Sequence, residues 1–123
     1  MSKLDQLLQE VRATLGADFV STDIVGMDGI SIAGGSVSPD FDASEASARF
    51  AMVVKLAANV SNKIGMGRVV ENLTTTDHAF IIARFLGDNS YYWGVAVTRE
   101  ATLGMVRMVM NEYAEQIWDA IPR

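Results

Sequence analysis

The sequence predicts a single α/β domain in which a five-stranded, mostly antiparallel sheet carries helices on both faces. Its 123 residues fit one domain, and half of them are apolar. Segments with helical apolar spacing alternate with segments of strand spacing, in the order α-β-β-α-β-β-β-α. Short turns join most of the strands, which makes neighbours antiparallel. Five strands and three helices leave two sheet faces to cover, and the layered solution places helices on both.

The composition narrows the kinds of partner that we expect. The net charge is −5, and the ten basic residues are scattered, so nucleic acid is not expected. The absence of cysteine excludes disulfides, thiolate catalysis and cysteine-based zinc sites. No run approaches the roughly 18 apolar residues of a membrane span. We therefore expect a cytoplasmic protein without membrane insertion, occupying residues 1–123 as one domain.

The first helix and the hairpin after it have clear boundary signals. Ser2 and Asp5 form a capping box at the start of the helix, and Gly16 ends it. Two alternating segments follow, and the Asp-Gly pair at 28–29 between them is a strong hairpin turn signal. We expect the second strand to end near Ala33, where Gly34 and Gly35 release the chain into a loop.

The segment 29-GISIAGGS-36 nearly matches a phosphate-binding loop, G-x-x-x-x-G-K-[ST]. Gly35 replaces the lysine that reaches the phosphates, and no helix opens at Ser36. The motif needs both features, so we expect neither nucleotide nor any other cofactor on this chain.

The second helix is apolar on more than one side. Asp42 caps it, it runs from about Ala43 to Ile64, and Gly65 ends it. One stripe consists of Ala46, Phe50, Val53, Ala57, Val60 and Ile64. A second, of small residues, consists of Ser47, Ala51, Val54, Ala58 and Ser61. One sheet face covers only one stripe, so the small stripe is predicted to contact a second copy of the chain in a twofold homodimer.

Three strands and a final helix complete the domain. The strands are predicted over 68–75, 78–86 and 90–98, and Thr98 is expected to cap the helix. Its methionines Met105, Met108 and Met110 are expected in the core. The third strand is a possible sheet edge, which adds Val70 and Asn72 to the predicted dimer interface.

The sequence offers little support for a catalytic site or a metal-binding site. His78 is the only histidine, and no cysteine is available to complete a metal site with it. No G-x-S-x-G elbow supports a triad. The acids Asp40, Asp42 and Glu45 do not have calcium-loop spacing, and helix capping accounts for them. No catalytic or metal-binding residue is assigned, and a hydrolase using His78 ranks last among the alternatives.

The pattern as a whole resembles the roadblock / dynein light chain family. The resemblance rests on the leading helix, the hairpin at 28–33, the Ala-rich second helix and the segment 101-ATLGMVRMVM-110. It implies a profilin-like α/β/α sandwich and an obligate dimer, in which the second helices pack antiparallel and the third strands join two sheets. It also implies a non-enzymatic partner of a small Ras-like GTPase, acting as a scaffold or a GTPase-activating protein.

Two interaction hypotheses remain open at this stage. A GTPase would contact exposed apolar groups beside the dimer seam, and the candidates are Arg49, Met52, Lys55, Leu56 and Lys63. The alternative is a small-molecule-sensing module of the profilin or PAS type. That alternative requires an enclosed pocket of about 300 Å³ or more with a few polar groups.

Overall fold

A computed structural model describes the whole chain, residues 1–123, and confirms the predicted order of elements. The elements are α1 (Lys3–Leu15), β1 (Phe19–Gly26), β2 (Ser31–Ser36), α2 (Ala43–Lys63), β3 (Glu71–Thr75), β4 (Ala79–Leu86), β5 (Tyr91–Thr98) and α3 (Leu103–Ala120). A short 3₁₀ turn at Gly16–Asp18 links α1 to β1.

The five strands form one open sheet in the order β2-β1-β5-β4-β3, and all neighbours are antiparallel. The chain leaves the sheet after β2, passes through α2 and re-enters at β3 on the far side. The prediction that the third strand lies at a sheet edge is therefore confirmed, and β2 forms the other edge. Each edge strand leaves one row of backbone donors and acceptors without a strand partner.

The helices form two layers of unequal size. α1 and α3 pack together on one face of the sheet, where sixteen buried residues form the larger core. Trp93 lies in this core, fully buried, and its indole Nε1 donates to Thr22 Oγ1 at 2.8 Å. α2 lies alone on the other face, where the cluster has only six buried residues, including its own Ala51 and Val54. One helix covers less of a sheet than two, which leaves part of the α2 face open.

The helix starts follow the predicted capping chemistry. Ser2 Oγ accepts a hydrogen bond from the backbone N–H of Asp5 at 3.1 Å, and Asp42 Oδ1 accepts one from that of Glu45 at 3.1 Å. Each bond satisfies a backbone donor that the helix itself leaves free. Gly16 ends α1 with φ +63°, a conformation that glycine adopts without steric cost.

The start of α3 was predicted wrongly. Thr98 does not cap the helix, because it is the last residue of β5 and its hydroxyl donates to Asp18 Oδ1 at 2.9 Å. A turn follows, and α3 begins only at Leu103, after Thr102. Met105 and Met108 were also placed wrongly, since they are exposed on the outer side of α3, whereas Met110 is buried.

The end of β2 differs from the prediction as well. Gly34 and Gly35 belong to the strand and pair with Asp23 and Thr22 of β1. A Cβ atom at Gly34 would lie 2.4 Å from Asp23 Oδ1 and 2.6 Å from the carbonyl oxygen of Thr22. Glycine is therefore needed at position 34 because β1 lies too close for a Cβ atom, and not because the chain leaves the strand there. The segment is extended and lacks the loop-to-helix geometry of a phosphate-binding motif.

Candidate protein-interaction surface

The orientation of α2 corrects the predicted interface. Ala51 and Val54, from the small-residue stripe, are 2% and 0% exposed because they pack on the protomer's own sheet beside Val25 and Tyr92. They are therefore not available to a second copy. Small side chains let a helix approach a sheet closely, just as they let two helices approach each other.

The rest of the small-residue stripe lies on the same side of the helix. Ser47, Ala58 and Ser61 are half-buried. The carbonyl oxygen of Ser47 accepts a hydrogen bond from the Tyr92 hydroxyl, and Ser61 Oγ donates to the carbonyl oxygen of Gly67 at 2.6 Å. These contacts tie α2 to its own protomer.

One flank of α2 is apolar and uncovered. Ala48 marks the opposite flank, which lies against the β1–β2 turn: a Cβ atom at Gly29 would be 4.0 Å from Ala48 Cβ. Because successive residues are 100° apart around a helix, Val53, Val60 and Ile64 lie on the opposite side of the helix from Ala48. They are 45%, 48% and 65% exposed. We call these three residues the α2 flank.

The side of α2 that faces away from the sheet carries two more exposed apolar groups. Met52 and Leu56 lie one turn apart there and are exposed. Arg49 and Lys63 lie on the same outer side, and Arg49 pairs with Glu45 at 3.1 Å. Lys55 is exposed nearer to the flank that carries Ala48. The structure thus brings four of the five candidate GTPase contacts together on one outward surface.

The edge strand β3 continues the open region. α2 lies closest to β1 and β2, and its buried cluster extends to Tyr92 of β5 and Phe85 of β4 but does not reach β3. Val70, just before β3, is exposed, and Asn72 within β3 is half-buried. Asn72 pairs with Ala83, whose side chain faces α2, so Asn72 lies on that face as well. Seven of the fourteen exposed large apolar side chains fall within residues 52–70.

A buried polar cluster lies beneath the start of α2. Asp23 on β1 is 3% exposed, and its Oδ1 accepts hydrogen bonds from Ser31 Oγ at 2.5 Å and the Ile24 N–H at 3.1 Å. Burial raises the pKa of the Asp23 carboxyl above its usual value, although these hydrogen bonds oppose the shift. Burial likewise raises the pKa of Tyr92 to about 12, so its hydroxyl stays protonated and donates to α2.

Two cavities adjoin this cluster. The apolar one, between α2 and the sheet, has a volume of about 60 Å³, well below the pocket that a sensing module requires. The other measures about 450 Å³, is polar, and opens to solvent between β2 and the start of α2. The enclosed pocket of the sensing hypothesis is therefore not formed in this protomer.

His78 lines neither of these cavities. Its side chain is 90% exposed in the β3–β4 turn, and its Nε2 is 3.7 Å from Asp77 Oδ1. No three His, Cys, Asp or Glu side chains come together as metal ligands would. None of the three helices is both long and apolar enough to cross a bilayer.

Comparisons with known proteins find similarity in structure only. No protein family model matches the sequence, and no curated protein matches it. Among solved structures, Myxococcus xanthus MglB is 13% identical, with a TM-score of 0.87 over 97% of this chain and 94% of that one. The Roadblock/LC7 domain from Streptomyces avermitilis is 18% identical, with a TM-score of 0.82 over 92% of each chain.

A further structure, an MglB with a tetrameric arrangement, is 14% identical, with a TM-score of 0.84 over 96% of this chain and 87% of that one. At identities this low the shared property is the fold. The resemblance drawn from the sequence is confirmed at that level: the chain has the fold of the Roadblock/LC7 domain and of MglB.

Proposed function

We propose that this chain is a cytoplasmic, non-enzymatic member of the roadblock family that forms a homodimer and regulates or scaffolds a small Ras-like GTPase. The observation that carries the proposal is the concentration of exposed apolar side chains on α2 and beside β3. A contiguous exposed apolar surface of this kind is typical of a protein-interaction site.

The homodimer accounts for the α2 flank and the free edge of β3 together. If two β3 strands pair about a twofold axis, each α2 flank faces the flank of the other copy. Val53, Val60 and Ile64 then become buried, and Val70 and Asn72 remain in the proposed interface. The tetrameric arrangement of one structurally similar MglB supports self-association in proteins of this fold.

The GTPase surface is proposed on the outward side of α2. Met52 and Leu56 supply apolar contact there, and Arg49, Lys55 and Lys63 supply positive charge around it. In the proposed dimer, two such sides lie next to each other and form one broad platform. The chain would act by reshaping or positioning the GTPase's own site, as an activator of hydrolysis or as an adaptor.

The experiment begins with purification of the tagged protein from its native cells and identification of the small GTPases that co-elute. GTP hydrolysis by each is then measured with and without the protein. The double variant Met52→Ser/Leu56→Ser should lose binding at least about tenfold, since each deletes a large apolar contact. The control Met105→Ser/Met108→Ser removes an equally exposed pair from α3, on the opposite sheet face. Equal binding by both variants, or no bound GTPase at all, contradicts the proposal.

A further inference from the structure

The outer side of β2 has backbone groups that are free to pair with a further strand. Val37, just after β2, donates its backbone N–H to the carbonyl oxygen of Val20 at 3.0 Å. Hydrogen-bonding residues alternate along an antiparallel strand, so Gly35 also turns toward β1, whereas Gly34 and Ser36 turn their N–H and C=O groups outward. The strand sequence, SIAGGS, has neither the charge nor the proline with which edge strands usually prevent pairing. The edge can therefore accept an added strand.

Gly35 has no explanation within the protomer. Its φ is not positive, and a Cβ atom there would meet nothing within 4 Å. A glycine inside a strand costs conformational entropy, and it often marks a place where a ligand or another backbone approaches closely. Gly35 pairs with Thr22, whose hydroxyl oxygen accepts a hydrogen bond from Trp93 of the larger core. The missing side chain therefore leaves open space on the face that carries α1 and α3.

This space is a cavity of about 240 Å³ between α1 and the strands β1 and β2. Met1, Leu8 and Phe19 line it with apolar groups, and Asp5 and Arg12 line it with opposite charges. Apolar groups beside charges that cancel favour a large uncharged guest over a charged one. The Arg12 guanidinium lies 5.2 Å from the centroid of the Phe19 ring, so a second aromatic ring in the cavity would also be close to this cation.

The opposite face of the same edge favours basic side chains. It borders the open cavity of about 450 Å³ between β2 and the start of α2. Asp40 and Asp42 are exposed there, and no basic side chain lines the cavity. Successive side chains of a strand point to opposite faces, so the neighbours of an aromatic residue in an added strand would lie on this acidic side. Charge complementarity therefore favours lysine or arginine at both neighbouring positions.

A second copy of β2 does not match this edge. The residues of β2 that share the face of Gly35 include only Ala33 and Gly35 itself, which are too small to fill the cavity beside α1. A twofold β2–β2 contact would also place the exposed carboxylates of Asp40 and Asp42 from both copies on the same side of the sheet. Like charges brought together in this way oppose association.

We propose that β2 is a strand-addition site for an extended segment of another protein, in which one aromatic residue lies between two basic residues. The segment runs antiparallel to β2. Its basic residues exchange backbone hydrogen bonds with Gly34 and Ser36, and its aromatic ring enters the cavity beside α1. The homodimer and the GTPase contact are not required, because β3 and the outward side of α2 are not part of this edge.

The test is an NMR titration of the full-length protein with a synthetic peptide, acetyl-Thr-Lys-Phe-Lys-Thr-amide. Saturable shifts of the backbone amides of Gly34 and Ser36 are expected. Replacement of the phenylalanine by alanine should weaken binding at least about tenfold, because the aromatic ring loses its buried contact. Replacement of both lysines by glutamates should also weaken binding at least about tenfold, because the acids of the α2 side then repel the peptide.

N-methylated peptides separate strand addition from other modes of binding. N-methylation of both lysine amides removes the two donors to β2 and should weaken binding at least about tenfold. N-methylation of the phenylalanine amide, whose N–H points away from β2, should change the affinity less than about threefold. Equal binding by these two peptides overturns the proposal, as does the absence of saturable shifts at Gly34 and Ser36.

Two pairs of variants test the site in the protein. Gly35→Leu fills the cavity and should weaken binding at least about tenfold, whereas Gly104→Leu makes the same change at an uncrowded, exposed position in α3 and should not. Ser36→Pro removes an outward N–H and should weaken binding, whereas Ser36→Ala keeps it. Both changes at Ser36 lose the hydroxyl bond to the Ser38 carbonyl, so they are matched.

Folding of each variant is checked by circular dichroism, and the N-methylated peptides on the parent protein decide if Gly35→Leu does not fold. Equal binding by Gly35→Leu and Gly104→Leu, both folded, overturns the proposal. Shifts of the Gly34 and Ser36 amides that depend on protein concentration without peptide would show that a second copy occupies the edge, and they overturn it as well.

Discussion

The proposed dimer makes a sharp prediction for Val60, in the middle of the α2 flank. Val60 is 48% exposed in the protomer, so Val60→Glu costs the isolated protomer little. Glutamate also has a higher helix propensity than valine, so α2 itself should persist. In the dimer the same position would be buried against the second copy, and the substitution would be present twice.

The magnitude follows from the exposed part of the side chain. Full burial of a valine contributes about 1.5 kcal/mol or more, and about half of it remains to be buried on dimerisation. Two copies therefore lose about 1.5 kcal/mol of apolar burial. Desolvation of two carboxylates adds at least about as much again. A total of about 3 kcal/mol or more raises the dimer dissociation constant at least about 100-fold.

The assay is sedimentation equilibrium over a range of protein concentrations, with the 13.3 kDa protomer as reference. The control is Asn59→Glu, which makes the same charge change on the neighbouring residue, 100° around the helix and away from the flank. We expect the control to remain dimeric where Val60→Glu is monomeric but folded by circular dichroism. A stable monomer of the parent protein at micromolar concentration refutes the reasoning, and so do equal dissociation constants for the two variants.

Two further predictions concern the β1–β2 ladder. Burial raises the pKa of Asp23 in the folded protein, so as pH rises this carboxyl ionises in the unfolded chain first. The protonated carboxyl therefore favours the folded state. This contribution to the free energy of unfolding is complete below pH 3.8 and is lost as pH passes through the folded pKa. In urea unfolding, Asp23→Asn should gain stability over the parent at pH 7, and this difference should shrink toward pH 3.8; a constant difference contradicts the assignment. Gly34→Ala should lower the free energy of unfolding by about 1–3 kcal/mol, because the added Cβ meets Asp23 Oδ1 and the Thr22 carbonyl. Gly35→Ala meets no atom within 4 Å and is the matched control; equal losses would show that strand propensity, and not contact, decides.

The order of elements was predictable because each boundary has its own local chemistry. Ser2 and Asp42 cap helices with side-chain oxygens, and Gly16 adopts positive φ, all within a few residues of chain. Thr98 shows the limit of such signals. Threonine commonly caps helices, and an acid follows here two residues later. Thr98 instead pairs with Ala79 in the sheet, and α3 begins only at Leu103.

The face of α2 that meets the sheet could not be predicted from composition. Both apolar stripes have helical spacing, so the sequence does not show which of them packs on the sheet. The distance between the helix and the sheet decides which stripe is buried. The small side chains of Ala51 and Val54 permit close packing, whereas the larger flank residues remain outside. Met52 and Leu56 were identified correctly as exposed, because they lie opposite that packed side.

Asp23 was the site residue that sequence reasoning missed. Thr22 and Ile24 alternate with Ser21 and Asp23 along β1, and such alternation is typical of a strand with one solvated face. The sheet carries helices on both faces, however, and a polar residue in a strand covered on both sides has no solvated face. A carboxylate in a strand that is expected to lie inside an α/β/α sandwich is therefore the signal that could have found it.

The two edge strands of the sheet, β2 and β3, lie on opposite sides of the protomer, and this sets the size of the proposed dimer. If β3 forms the twofold seam, the ten strands run continuously, and β2 lies at each far end. Nine inter-strand steps of about 4.8 Å separate these ends by roughly 43 Å. A bivalent partner that adds a strand to each β2 edge would gain avidity only when its tether covers that distance, so tether length would set which partners the assembly retains.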